Sequence, residues 1–271
     1  ACEKQKKLGA CPDRKCLFPK PCPNLNADHS EYVHLLERAS AVQGVKRVFI
    51  RSGIRFDYML ADRKNDFFKR LVSEHTSGQL KVAPEHCSDN VLKYMGKPSV
   101  SVYKKFSDEF YRLSAACGKE QYLVPYLMSS HPGATLDDAI ELALFLKHNG
   151  QRPEQVQDFY PTPGTASTCM YHTGIDPFTG KSVFVEKTYT GKKLQRALLQ
   201  YYKKENQPLI RDALMKCGRS DLIGNGNDCL VPPAFVPHGK KPVGNDRYAA
   251  RKNTVSKGGK RPDSKKNNRR G

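Results

Sequence analysis

The sequence of 271 residues holds no apolar run near the ~18 residues that a bilayer span needs. It has no Walker phosphate loop, no Rossmann glycine fingerprint after a first strand and no serine-centred nucleophile elbow. Those absences exclude the common nucleotide-binding and hydrolase patterns; Gly224-Asn-Gly-Asn227 is a turn rather than a phosphate loop. There is no internal repeat and no paired Cys-x-x-Cys of the sharp zinc signatures. Neither an initiator methionine nor a signal segment opens the chain; Ala1 begins a stretch rich in cysteine and lysine. The chain therefore reads as a fragment of a longer frame, expected to be soluble, cytoplasmic and without a membrane partner.

What is present is mostly basic. The net charge is +19, and residues 236–271 alone carry twelve Lys/Arg against two Asp, a net +10. The other 235 residues hold 34 Lys/Arg and 25 Asp/Glu, a net +9. A tail without apolar periodicity and with this charge is expected to be disordered, and its field can attract RNA or another polyanion.

Nine cysteines occur, and four of them, Cys2, Cys11, Cys16 and Cys22, fall in the first 22 residues. Pro12, Pro19, Pro21 and Pro23 keep residues 1–29 from forming a continuous helix, so this part is a cysteine-rich loop. Thiolates hold iron–sulfur clusters and structural zinc. Four of them in a loop with so few apolar residues make a candidate metal site, and the surrounding lysines would offset its negative charge. Ordinary loop cysteines are the alternative, because the spacings are irregular.

Three short apolar runs in the middle of the chain end in polar loops: Leu80–His86, Tyr122–Met128 followed by Ser129-Ser-His-Pro-Gly133, and Val156–Tyr160 followed by Pro161–Ala166. The first two lead into helices, which is the strand–loop–helix grammar of a parallel sheet or barrel with chemistry at the C-terminal strand ends. Arg47–Ile50 is a fourth candidate strand, ending in Arg51-Ser-Gly-Ile-Arg55. Arg51 and Arg55 could grip a ligand carboxylate or pair with Asp57 and Asp62. Glu85 can accept hydrogen bonds from a ribose or an amine, and His86 belongs to the one side-chain class that titrates unperturbed near neutrality.

Helices are expected from Ser30 to about Val42, from a cap at Asp62 to about His75, from Val91 to Met95 behind a Ser88 cap, and from Ser101 to Cys117 with Cys117 in the core. Thr135 and Asp138 form a capping-box pattern for a helix to His148. Thr190–Lys204 and Pro208–Cys217 complete the helices, with Gly174–Lys187 as a loop or hairpin before them. Adjacency alone makes Cys169-Met-Tyr-His172 a weak ligand set.

Pro84-Glu-His-Cys-Ser-Asp-Asn-Val-Leu-Lys-Tyr-Met-Gly96 resembles the fifth-strand loop and helix of radical S-adenosylmethionine methylthiotransferases, and His131-Pro-Gly-Ala-Thr135 resembles their sixth-strand loop. Pro161–Ala166, Arg51–Arg55 and Cys16–Asn26 add to the likeness, which is greatest to the YgiQ family of radical S-adenosylmethionine proteins. The resemblance covers roughly residues 1 to 235. It implies an α/β chain that supplies strands four to six of a partial (β/α)6, TIM-like barrel over residues 30–168, a helical C-terminal extension over 169–235 and the tail over 236–271. In such enzymes a [4Fe–4S] cluster on three cysteines binds S-adenosylmethionine and cleaves it reductively to a 5′-deoxyadenosyl radical. By resemblance, Arg51, Ser52, Gly53, Arg55, Glu85, His86, Ser129, Ser130, His131 and Gly133 line the cofactor side, while Cys2, Cys11, Cys16 and Cys22 could hold a second cluster or zinc. The family's CxxxCxxC triplet does not occur in this chain, which by itself could not assemble the radical cluster; the triplet is expected upstream. Catalytic residues and substrate stay unassigned. A different class of function, a non-catalytic module binding zinc through the cysteines and RNA through the tail, would have no use for the ordered strand-end loops.

Overall fold

A computed structural model of the chain describes residues 2–9, 11, 15–62, 64 and 66–234. The basic tail, and with it the expected disorder of residues 236–271, lies outside the described residues. After the short helix α1 (Glu3–Leu8) and an irregular loop come α2 (Ser30–Ser40), α3 (Phe56–Ala61) and α4 (Asp66–Arg70), the last running into one π turn at Leu71–His75. Then strands and helices alternate: β1 (Gln79–Glu85), α5 (Asp89–Met95), α6 (Val100–Ala116), β2 (Tyr122–Ser129), α7 (Leu136–His148) and β3 (Gln157–Asp158). α8 (Ala166–Thr173), α9 (Tyr189–Leu199) and α10 (Gln207–Lys216) follow. The fold is α/β, with a three-stranded parallel sheet in the order β1-β2-β3. Among the described residues these strands do not close into a barrel.

Alternation along the strands sends Leu80, Val82 and Leu123 to one face. There they meet Phe56 of α3, Phe67 and Phe68 of α4, and Tyr103, Phe106 and Phe110 of α6. The Phe68 and Phe106 rings stack with centroids 5.1 Å apart. A second apolar cluster joins α7 to α9 and α10: Ala139, Ile140 and Ala143 pack with Leu194, Leu198, Ile210 and Leu214. The C-terminal helices therefore share a core with a helix of the strand–helix series.

Several local expectations need correction. Arg47–Ile50 is not a strand. Its Ile50 N–H donates to the His75 carbonyl and its Val48 carbonyl faces the His75 ring, both at 2.9 Å; the bridge to β1 comes only beyond it, where Ile54 pairs with Val82 in parallel and the Ile54 N–H donates to the Lys81 carbonyl at 3.0 Å. Asp62 does not cap one long helix, because its carboxylate accepts from the Lys64 N–H at 3.0 Å and lies 2.8 Å from the His29 ring. α6 starts at Val100, one residue before Ser101, and its cap is Ser99. Cys117 lies just past the end of α6 and is exposed rather than in the core. β3 is only two residues long: the Phe159 N–H adds one more ladder bond, to the Ser129 carbonyl at 2.8 Å, and Pro161, which has no N–H to give, follows two residues later. The Thr135–Asp138 capping box forms as expected, and the Gly174–Lys187 stretch carries one antiparallel bridge, Ile175 to Ser182.

Candidate functional site

Parallel strands place their C-terminal ends side by side, and here three polar segments meet there: Ile54-Arg55, Ala83–His86 and Ser129–Gly133. β1 carries one extra residue before its end, since Val82 faces Pro125 while Glu85 faces Leu127. That bulge re-aims Glu85, whose φ is +65°. Ser130, at the end of β2, has a φ of +59°. Non-glycine residues in this region cost on the order of 1 kcal/mol or more, and such strain concentrates at functional sites.

The side chains around these two residues form a connected polar set. Lys97, just after α5, donates from Nζ to the Ala83 carbonyl and ion-pairs with Glu85, both at 2.8 Å. Arg55 forks onto Asp57 at 2.9 and 2.6 Å, so the acidic-neighbour alternative holds for this arginine, and its charge lies over the Tyr58 ring. Arg51, Ser52 and Gly53 are exposed, and Arg51 makes no ion pair among the described residues. Ser129 Oγ donates to Asp158 Oδ1 at 2.5 Å. The Ser130 N–H donates to Gln195 Oε1 at 2.9 Å, while Gln195 Nε2 donates to the Ala134 carbonyl at 3.0 Å. Ser130 Oγ is buried without a partner among the described residues. Gly133, at φ +90°, admits no side chain, because a Cβ there would stand 2.2 Å from the Tyr94 ring.

The two histidines are interior groups. His86 Nδ1 accepts from the Ser88 N–H at 3.0 Å, and burial pushes its pKa down to about 4. It is thus neutral at pH 7 rather than poised near neutrality. Burial also lowers His131, whose ring nitrogens face the Pro132 carbonyl at 2.8 Å and Ser167 Oγ at 2.9 Å. Beneath them, burial works against the charge of Asp138, but hydrogen bonds from Ser88 and Thr135 more than offset it and hold the carboxyl below its usual range.

A cavity of about 390 Å3 opens at the ends of the Ile54 segment and β1, walled by Arg55, Lys97, Lys15, Cys16 and Tyr58. The cysteine loop therefore forms one side of the strand-end region. Of the four early cysteines, Cys2, Cys16 and Cys22 reach a common smaller cavity and Cys11 does not. No set of three or more His, Cys, Asp or Glu side chains stands ready to ligate an ion among the described residues. Lys97, Gln195, Asp158 and Tyr58 escaped the sequence reading. Lys97 sits in a loop and the others on helices or a two-residue strand, where spacing alone gives no hint of what they touch.

A family model described as "Domain of unknown function (DUF3362)" matches residues 154–270 and so runs into the basic tail. A UPF0313 protein of Clostridium perfringens strain 13 is 54% identical over 231 residues, 85% of this chain and 35% of its own length. A UPF0313 protein of Clostridium botulinum strain Okra is 55% identical over 232 residues, 86% of this chain and 36% of its own. The chain belongs to the UPF0313, or YgiQ, family. It spans about a third of the length of those UPF0313 relatives. The quoted motif at residues 84–96 includes the strained Glu85, and that at 131–135 includes Ala134, whose carbonyl Gln195 of α9 holds. No helix among the described residues is long and apolar enough to cross a membrane.

Proposed function

We propose that this chain is the C-terminal part of a radical S-adenosylmethionine enzyme, and that its strand ends hold one side of the cofactor. The observation that carries the reading is a parallel sheet with one face that no described element covers. Parallel sheets are normally buried on both sides. Here Tyr122, Val124 and Tyr126 of β2 are exposed, beside exposed Lys81 of β1. An uncovered parallel face and polar C-terminal strand ends are what the inner wall of an incomplete (β/α) barrel presents. Strands from the rest of a protein about three times as long would complete it.

The strand ends suit the small molecule. Glu85 offers a carboxylate to an amine or to ribose hydroxyls, the buried Ser130 Oγ has no partner among the described residues, and Gly133 lets backbone approach closely. Arg51 is free to meet a carboxylate, whereas Arg55 would have to share its guanidinium with Asp57. When bound and reduced, S-adenosylmethionine supplies the radical chemistry; this chain's residues orient it and shield it from water. The cysteine triplet that would hold the radical cluster is not among these residues. The substrate is not specified by the fold.

The test uses the full-length parent, iron-loaded anaerobically and reduced with dithionite in the presence of S-adenosylmethionine. Expected products are 5′-deoxyadenosine and methionine, with Glu85→Gln and Ser130→Ala lowering the yield at least tenfold. A loaded parent that forms no 5′-deoxyadenosine sinks the reading. The rival module, zinc- and RNA-binding without catalysis, leaves the strained strand ends without a role.

A further inference from the structure

Cys2, Cys16 and Cys22 come from three separate places in the first 22 residues, yet the fold brings all three to the wall of one cavity of about 90 Å3. The loop turns back on itself there: the Cys22 N–H donates to the Cys16 carbonyl at 2.7 Å, and the Leu25 N–H to the Cys22 carbonyl at 2.9 Å. The next wall residues are the amides Gln5, Asn24 and Asn26, which can hydrogen-bond sulfur ligands, and Tyr58 of α3. Among the described residues no acidic side chain lines it. Leu17 is the only buried hydrophobic residue of the described loop, so apolar packing does little to fix it.

We propose that Cys2, Cys16 and Cys22 are the protein ligands of one thiophilic metal centre, and that Cys11 stands outside it. The sulfurs do not yet form a ligating array, so they close onto the ion as it binds, each thiol releasing its proton. Three protein ligands leave one position on the metal open to water or a small ligand, as in reactive rather than purely structural sites. Cys16 and Tyr58 also wall the 390 Å3 strand-end cavity, so metal binding would fix that wall. The proposal does not depend on the S-adenosylmethionine reading, and its test contains no S-adenosylmethionine.

The full 271-residue chain, reduced and metal-free under anaerobic conditions, is loaded in one arm with zinc alone and in another with ferrous iron and sulfide. Bound zinc, iron and acid-labile sulfide are counted per chain. One zinc identifies a single ion and iron with matching sulfide identifies a cluster; either supports the three-thiolate centre. Cys16→Ser and Cys22→Ser are expected to lower retained metal at least tenfold, and Cys11→Ser to leave it unchanged. A second measurement needs no variant: metal should shield Cys2, Cys16 and Cys22 from iodoacetamide, mapped by peptide mass, while Cys11 stays reactive. The proposal is overturned if neither arm retains stoichiometric metal. It is equally overturned if Cys11→Ser loses as much metal as Cys16→Ser, or if shielding includes Cys11 or omits any of the other three.

Discussion

The two faces of the sheet obey different rules. On one face Leu80, Val82 and Leu123 are buried under a set of phenylalanines whose central members, Phe106 and Phe110, have no exposed surface. On the other, Tyr122 is 52% exposed and Val124 38%. The same strands, with the same β-branched and aromatic preference, make both. The buried face explains why the chain folds, and the exposed face is the one that the proposed barrel would turn inward. Polar and strained groups collect where the strand ends open beside the bare face.

The largest effect lies on the buried face. Phe106→Ala removes a fully buried ring, and urea unfolding should show a loss of about 3–5 kcal/mol. A loss under about 1 kcal/mol would mean that this face is not the core. Next comes acid. Burial holds His86 at about 4 against an ordinary 6.5, so below about pH 6.5 the unfolded chain takes up a proton that the folded chain refuses. Stability from this group is complete above that pH and falls towards pH 4 by up to about 3 kcal/mol. His86→Asn retains an acceptor for the Ser88 N–H and should flatten that part of the stability–pH curve; parallel curves for the two proteins would refute the assignment.

The bare face gives a contrast between chain and parent. Val124→Asp should change the stability of this chain by no more than about 0.5 kcal/mol, as at other exposed sites. In the full-length parent the same carboxylate would be buried and should cost about 2 kcal/mol or more. Equal small effects in both would show that nothing covers the face. The smallest change has the opposite sign. Ser130→Gly relieves a left-handed backbone and deletes a buried hydroxyl that has no partner among the described residues, so the free energy of unfolding should rise by about 1 kcal/mol. The same variant should cleave S-adenosylmethionine more slowly in the parent, which separates a strained functional residue from an ordinary turn.

The elements that the sequence disclosed best are those fixed by local chemistry. The Thr135–Asp138 capping box and the Pro208 start of α10 each rest on neighbours within a few residues, and the two long strands, though they pair across the chain, show themselves as short apolar runs. The failures came where distant groups intervened. Asp62 is drawn off by His29, and the Arg47–Ile50 run bonds to His75 at the end of the π turn, leaving the bridge to the sheet to Ile54 beyond it. The candidate site followed the same division. Strand-end loops were visible as polar breaks after apolar runs, and Glu85 and Ser130 lie at two of them. Nothing local announces that Lys97 reaches back fourteen residues to the Ala83 carbonyl, or that Gln195 crosses sixty-five to hold Ser130. His86 looked like a neutral-pH titrator because burial is a property of the fold, not of the tripeptide around it.

The shared packing of α7 with α9 and α10 bears on where this protein can be cut. The family match begins at residue 154, which invites expression of the piece from there onward. That piece would leave Ala139, Ile140 and Ala143 behind, along with the Ser129 hydroxyl that Asp158 accepts from and the Ser130 amide that Gln195 accepts from. A border drawn by sequence recurrence is therefore not a seam in the folded chain. The helices beyond it are the buttress of the strand-end loop, and the two stretches fold as one piece.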